Sequence, residues 1–230
     1  MRKIGIIGGL GPEATVDYYK RITTFFHHYN QNLSTPEIII YSIDLAELFQ
    51  LVEEQRWELL ATMLTSKLTS LKNAGADFAV ISANTPHIVF DQVLAQSPLP
   101  LISIVDVTLE AAKRMGAKKV GLLGTKFTMQ ANFFGERFSR DGISVVVPDV
   151  QDQQFIQEKL VTEIELGIIK EDTRIALLSI IERMKEQDNI EAAILGCTEL
   201  PLILGVNDAK VPLLNTTAIH VEEICKYCIG

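Results

Sequence analysis

Cysteine is scarce in this chain: three thiols, Cys197, Cys225 and Cys228, among 230 residues. An odd and small number gives no disulfide framework, and a chain of this length needs no covalent staples, so reduced thiols are expected. Cys225-Lys226-Tyr227-Cys228 has the spacing of a redox or zinc pair, but it closes an expected terminal helix and lacks a second ligand pair, so it reads as two helix positions and no metal site is expected. No apolar run approaches about 18 residues. Met1-Arg2-Lys3 leads directly into Ile4-Gly5-Ile6-Ile7-Gly8-Gly9, too short and too glycine-rich for a secretory leader. A soluble, cytoplasmic protein with no membrane partner is the expectation. Positive charge is also in deficit, 21 basic against 29 acidic residues for a net −8, and no basic cluster is longer than Lys118-Lys119, which disfavours nucleic acid as a partner.

What the chain has is ample core, 47 % hydrophobic residues at a mean hydropathy of +0.20, and a repeated phrase. Ala79-Val80-Ile81-Ser82-Ala83-Asn84-Thr85 aligns with Ala193-Ile194-Leu195-Gly196-Cys197-Thr198, with Ala83 opposite Cys197 at an offset of 114 (197 − 83). Lys3-Ile4-Gly5-Ile6-Ile7-Gly8-Gly9 resembles Lys119-Val120-Gly121-Leu122-Leu123-Gly124-Thr125 at an offset of 116 (119 − 3). An internal duplication is expected, and if the halves face each other, residues 83 and 197 approach one ligand from opposite sides.

Short Ile/Val/Leu runs alternate with stretches of helical period, the pattern of parallel sheets covered by helices, so the fold class is α/β. Strands are expected near 2–8, 36–43, 77–83 and 100–104, then near 118–124, 143–148, 191–196 and 211–214. Helices are expected over 12–30, 46–75, 86–96, 105–116, 128–141, 152–168, 173–188 and 216–228. Pro12 suits a first turn, Asp172 or Thr173 can cap the seventh helix, and Thr216-Thr217 can cap the last. Four strands per half divide the chain into a first lobe over 1–103 and a second over 104–215, with the terminal segment 216–230 packing back on the first.

Ligands of open α/β sheets collect at the carboxyl ends of strands, and the chemically suggestive residues fall there. Gly9 and Leu10 follow the first strand, while Ala83, Asn84, Thr85 and His87 follow the third. Thr125 and Thr128 follow the fifth, and Cys197, Thr198 and Glu199 follow the seventh. A thiol at a turn beside amide donors is expected to have its pKa lowered towards neutrality, with Glu199 opposing if close. Asn84, Thr85, Thr125, Thr128 and Thr198 are uncharged donors suited to a carboxylate. Gly9-Leu10-Gly11-Pro12-Glu13-Ala14 matches a G-x-G-x-x-A dinucleotide loop, but Pro12 removes an amide and the only candidate ribose acid, Asp44, is too distant. His27-His28 read as a helix face or subunit contact. His87 is as consistent with a structural hydrogen bond as with proton transfer, and His220, one turn into the last helix, is a candidate to orient the site.

Taken together, Ile6-Ile7-Gly8-Gly9-Leu10-Gly11-Pro12-Glu13-Ala14-Thr15, Gly75-Ala76-Asp77, Asn84-Thr85-Pro86-His87, Gly121-Leu122-Leu123-Gly124-Thr125 and Gly196-Cys197-Thr198-Glu199 resemble the aspartate/glutamate racemase family nearly end to end. The resemblance implies a cofactor-independent isomerase of two Rossmann-like lobes related by a pseudo-twofold axis, dimeric, acting on a small acidic amino acid. In that family one cysteine removes the α-proton and another returns a proton to the opposite face. Carried over, Cys197 matches the second cysteine, Asn84 and Thr85 match carboxylate-binding positions, and Thr125 and Thr198 match donors of the second lobe. Ala83 matches the first cysteine and cannot hold a proton; Asn215 stands where many relatives would have Asp. Three explanations of Ala83 remain open: an engineered Cys→Ala change, a one-thiol enzyme in which water, Ser82 or His87 relays the other proton, or a one-thiol decarboxylase or isomerase of the same architecture. A non-catalytic carboxylate-binding relative is a further alternative.

Overall fold

A computed structural model describes residues 1–230. The chain divides into two compact units, Met1–Ile104 with Thr217–Gly230, and Val105–Thr216.

The first unit carries β1 (Ile4–Gly8), α1 (Pro12–Asn30), β2 (Ile38–Ser42), α2 (Leu45–Glu53), α3 (Trp57–Asn73), β3 (Phe78–Ile81), α4 (Phe90–Gln96) and β4 (Leu101–Ile102). The second continues from α5 (Ile104–Arg114) through β5 (Lys119–Leu123), α6 (Lys126–Gln130), α7 (Phe133–Ser139), β6 (Ser144–Val146), α8 (Val150–Thr162), α9 (Glu171–Asp188), β7 (Ala192–Leu195) and β8 (Leu213–Asn215). The terminal α10 (Thr216–Ile229) belongs to the first unit from Thr217 onward.

Each unit holds one four-stranded parallel sheet, in the orders β2-β1-β3-β4 and β6-β5-β7-β8. The α/β reading of the sequence is therefore met, with the same strand order twice. The two sequence offsets also reproduce the strand register. Ile4 pairs with Phe78 in the first sheet, and Val120 pairs with Ala192 in the second, the positions reached by adding 116 and 114. The central strands β1 and β3 are buried along their whole length, as are β7 and all of β5 beyond Lys119, because helices cover both faces.

The helices owe their place to apolar stripes. Ala14, Tyr18, Ile22 and Phe26 recur at four-residue intervals on α1, and Leu60, Leu64, Leu68 and Leu71 line α3. Tyr18, Ile22 and Phe26 pack with Ile4, Ile6, Phe78 and Val80 and with Val221, Ile224, Cys225 and Cys228 of α10. Cys225 and Cys228 are buried, and Cys228 Sγ donates to the Arg2 carbonyl at 3.0 Å, so both thiols serve the core.

Several helix boundaries differ from expectation. The run 46–75 is two helices, broken where Gln55 takes the left-handed conformation (φ 52°). The run 128–141 is broken at Asn132 (φ 55°). The segment 152–168 ends as a helix at Thr162 and continues as a 3-10 turn over Ile164–Leu166, while 86–96 opens with a 3-10 turn over Thr85–Val89. Neither Asp172 nor Thr173 caps α9, which begins at Glu171 with Lys170 as its cap residue; Thr173 Oγ1 instead donates to Glu163 at 2.6 Å. Thr216 Oγ1 donates to the Leu195 carbonyl at 2.9 Å, tying α10's start to the end of β7. No helix is long and apolar enough to cross a membrane.

Candidate functional site

In the first unit the chain leaves β1 through Gly9, whose φ of +79° is strained for any L side chain. A Cβ there would lie 2.4 Å from the Ile43 carbonyl oxygen and 2.6 Å from Ser42 Oγ. The Gly9 amide donates to Thr15 Oγ1 at 2.9 Å, so this loop already satisfies the group a pyrophosphate would need. Asp44, the candidate ribose acid, instead caps α2 by accepting from the Ala46 amide. The Gly9 amide and Asp44 are thus both bonded within the chain, which adds to the case against dinucleotide binding.

β3 lies beside β1, and its end carries Ser82, Ala83, Asn84, Thr85 and His87. The Ser82 amide and hydroxyl both donate to the Ile7 carbonyl, each at 3.0 Å. Ala83 and Asn84 are buried, and Thr85 is half-buried at the start of the 3-10 turn. His87 Nδ1 lies 2.9 Å from the Ala83 carbonyl oxygen, and the Ile104 amide donates to His87 Nε2 at 3.3 Å. The only tautomer satisfying both partners is neutral, with the proton on Nδ1. Burial lowers its pKa to about 4, against the partial support of the Ala83 and Asn84 backbone. Both ring nitrogens are committed to backbone, which argues against His87 as a proton relay. Ser82, held on Ile7, is no better placed for one.

His220 is fully buried between Tyr18 and the end of β4. Its Nε2 lies 3.0 Å from the Ile102 carbonyl oxygen, and its Nδ1 lies 2.8 Å from the Tyr18 hydroxyl. Burial, then the neighbouring His87, lowers its pKa to about 3.

In the second unit, β5 and β7 repeat the arrangement. The Gly196 amide donates to the Leu123 carbonyl at 2.6 Å, as the Ser82 amide does to Ile7. A Cβ on Gly196 would lie 2.7 Å from Leu122 Cδ1 and 3.1 Å from the Leu123 carbonyl oxygen, so a side chain there would require both neighbours to shift. Thr125 caps α6: its Oγ1 accepts from the Thr128 amide at 3.2 Å and sits 3.0 Å from Thr128 Oγ1. Thr128 is buried against Gly124 and Gly196. Cys197 stands two residues beyond the last residue of β7, as Ala83 stands two beyond the last residue of β3. Both positions are followed within a few residues by a 3-10 turn, over Leu200–Leu202 in this unit.

The Cys197 thiol donates to Glu199 Oε2 at 3.0 Å, and Thr198 Oγ1 donates to the same oxygen at 2.7 Å. Contrary to the sequence expectation, the thiol pKa is pushed well up. Burial contributes most, followed by the Glu199 carboxylate and its hydrogen bond, with Glu165 adding to them; the Glu199 amide opposes. The carboxylate outweighs the amide because a full negative charge beside a desolvated sulfur disfavours thiolate more than one N–H dipole favours it. Glu165 falls inside the helix expected over 152–168 and carries no sequence signal of its own. It lies in the 3-10 turn after α8, and burial and Glu199 raise its own pKa. That turn is anchored by the buried Glu163, which accepts from Thr173 Oγ1, Lys159 Nζ at 2.9 Å and Lys170 Nζ at 3.1 Å.

Each unit thus gathers its own candidates at adjacent strand ends: Gly9, Leu10, Ala83, Asn84, Thr85 and His87 in one, Thr125, Thr128, Cys197, Thr198 and Glu199 in the other. The profile of the Asp/Glu/hydantoin racemase family matches residues 7–224. The chain belongs to this family. Among solved structures, this family member is similar to an aspartate racemase homologue from Pyrococcus horikoshii, at 36 % identity and a TM-score of 0.90 over all of both chains. A candidate Asp/Glu racemase from Yersinia pestis matches at 37 % identity and a TM-score of 0.92, again over all of both chains. The broad-specificity amino-acid racemase RacX of Bacillus subtilis is 22 % identical over 94 % of this chain and 93 % of its own.

Proposed function

We propose that this racemase-family chain acts on the α-proton of a small acidic amino acid, with Cys197 as the thiol acid–base and Glu199 as the group that takes the thiol proton. The Cys197–Glu199 hydrogen bond is the observation that carries the reading, because a thiol raised above its ordinary pKa needs a neighbouring acceptor to become a nucleophilic or basic sulfur. Transfer of the Sγ proton to Glu199 leaves a thiolate, which removes the Cα proton and leaves its electron pair on the substrate. The planar carbanion delocalises its charge into the α-carboxylate. Thr125 and Thr198, which share a unit with Cys197, are the donors proposed for that carboxylate, stabilising charge as it develops, and resemblance to the family adds Asn84 and Thr85.

Inversion requires a proton delivered to the opposite face, and Ala83, which by resemblance stands at the position of the family's first cysteine, holds none. In this reading water performs that delivery, so exchange at one face outruns inversion. Ala83→Cys supplies the second thiol. We expect it to raise racemisation of aspartate or glutamate, followed by chiral chromatography, by about 10²-fold, the low end of general acid–base contributions. No gain from Ala83→Cys, with no α-proton exchange in the parent, would defeat the assignment.

A second reading is favoured by the raised thiol pKa itself. A thiol that rests protonated is an acid ready to quench a carbanion from one face, which is what a one-thiol decarboxylase requires. Release of carbon dioxide from a 2-substituted malonate, abolished by Cys197→Ala, would select it over the racemase.

A further inference from the structure

His87 and His220 both bond the same short segment. The Ile102 carbonyl accepts from His220, and the Ile104 amide, two residues on, donates to His87. The ring nitrogen that meets the segment is Nε2 in both cases, yet one donates and the other accepts. His220 must therefore carry its proton on Nε2 and accept from Tyr18 at Nδ1, whereas His87 must carry its proton on Nδ1. Two neutral histidines of opposite tautomer hold the end of β4, at the point where the chain leaves the first unit.

The other side of His87 bears on the site. Its Nδ1 proton goes to the carbonyl of Ala83, and its backbone amide goes to the carbonyl of Asn84 at 3.0 Å. With Ser82 held on Ile7, three consecutive residues after β3 have their backbone fixed by named bonds. His87 is 5 % exposed and its ring stacks on Phe90, with centroids 5.0 Å apart and 9° between planes, so the ring cannot swing away without opening the core.

We propose that His87 is a positioning residue: as the neutral Nδ1–H tautomer, bridged to His220 through Ile102–Ile104, it fixes the backbone at residue 83 and so aims whatever occupies that position. It moves no proton to substrate. This inference rests on the racemase reading for its catalytic consequence, but the clamp itself is a property of the fold.

The test has two arms. Long-range ¹H–¹⁵N NMR on histidine-labelled protein at pH 7 should show His87 protonated at Nδ1 and His220 at Nε2. A charged His87, or His87 protonated at Nε2, overturns the proposal without reference to activity. In the second arm, His87→Asn places a side-chain amide where Nδ1 was and keeps the donor to the Ala83 carbonyl. His87→Gln reaches the Ile104 amide instead and loses that donor. Hydrogen exchange should therefore quicken across 84–89 in His87→Gln and less so in His87→Asn. For aspartate in D₂O, His87→Gln should lower kcat/KM for α-proton exchange by about tenfold or more, as small misplacements do, while His87→Asn stays within about threefold of the parent. Equal losses in both variants, or equal exchange across 84–89, would mean that the ring only fills space and would overturn the positioning role. A parent that exchanges no α-proton defeats the racemase reading alone, while the tautomer and hydrogen-exchange results still decide the clamp.

Discussion

Cys197 Sγ donates to Glu199 Oε2 across 3.0 Å, and the residues are two apart in sequence. The short motif Gly196-Cys197-Thr198-Glu199 thereby carries a thiol, a carboxylate that accepts its hydrogen bond, and a hydroxyl that donates to the same oxygen. The arrangement explains how a buried sulfur of raised pKa could still act, and it makes two opposite effects of one substitution predictable.

Glu199→Gln removes the charge that disfavours thiolate and the acceptor that takes the proton. The Cys197 pKa should fall, so alkylation by iodoacetamide at pH 7–8 should quicken relative to the parent. Turnover should move the other way, slowing α-proton exchange by about 10²-fold or more, the scale of a lost general base. Both measurements moving in the same direction would break the link between Glu199 and the thiol.

Gly9→Ala places a Cβ 2.4 Å from the Ile43 carbonyl oxygen at a φ of +79°. The clash is with backbone, so it cannot be relieved by a rotamer change. A loss of about 2–4 kcal/mol is expected from strain of this kind, read from urea denaturation midpoints.

Burial holds His87 and His220 neutral in the fold, with pKa values of about 4 and about 3 against an ordinary 6.5. Below pH 6.5 the unfolded chain takes up protons that the folded chain refuses, so stability falls as the pH drops from about 6.5 towards 3. Each histidine contributes a slope of about 1 kcal/mol per pH unit within that window. Melting temperature should therefore decline between pH 7 and pH 5, and His87→Asn should flatten the decline. Glu163 works in a lower window. Thr173, Lys159 and Lys170 hold its pKa down to about 2, so its contribution is complete above about 4.5 and is lost as the pH falls through 2. Glu163→Gln should lower the melting temperature at pH 7 and leave the pH 5–7 decline unchanged.

The sheets were legible because a parallel strand buried on both faces writes itself as an unbroken aliphatic run, and because the offsets of 116 and 114 carried the register with them. The helix breaks at Gln55 and Asn132 were not, since no glycine or proline marks either left-handed residue. The raised thiol pKa has no local sequence signal for a related reason. The strand-end turn with its amides is local and visible, whereas the depth of burial and the approach of Glu165, 32 positions away (197 − 165), arise only on folding. His87 was visible as a helix-start histidine, but its second partner, Ile104, lies 17 residues on and donates through backbone, which no side-chain pattern announces.

α-Proton exchange tests the assignment of Cys197 most directly. Proton NMR in D₂O should show the Cα–H signal of one enantiomer of aspartate or glutamate washing out faster than its mirror image accumulates, with Cys197→Ala at the uncatalysed rate. Washout in Cys197→Ala as fast as in the parent, or none from either enantiomer of either amino acid in the parent, would contradict it.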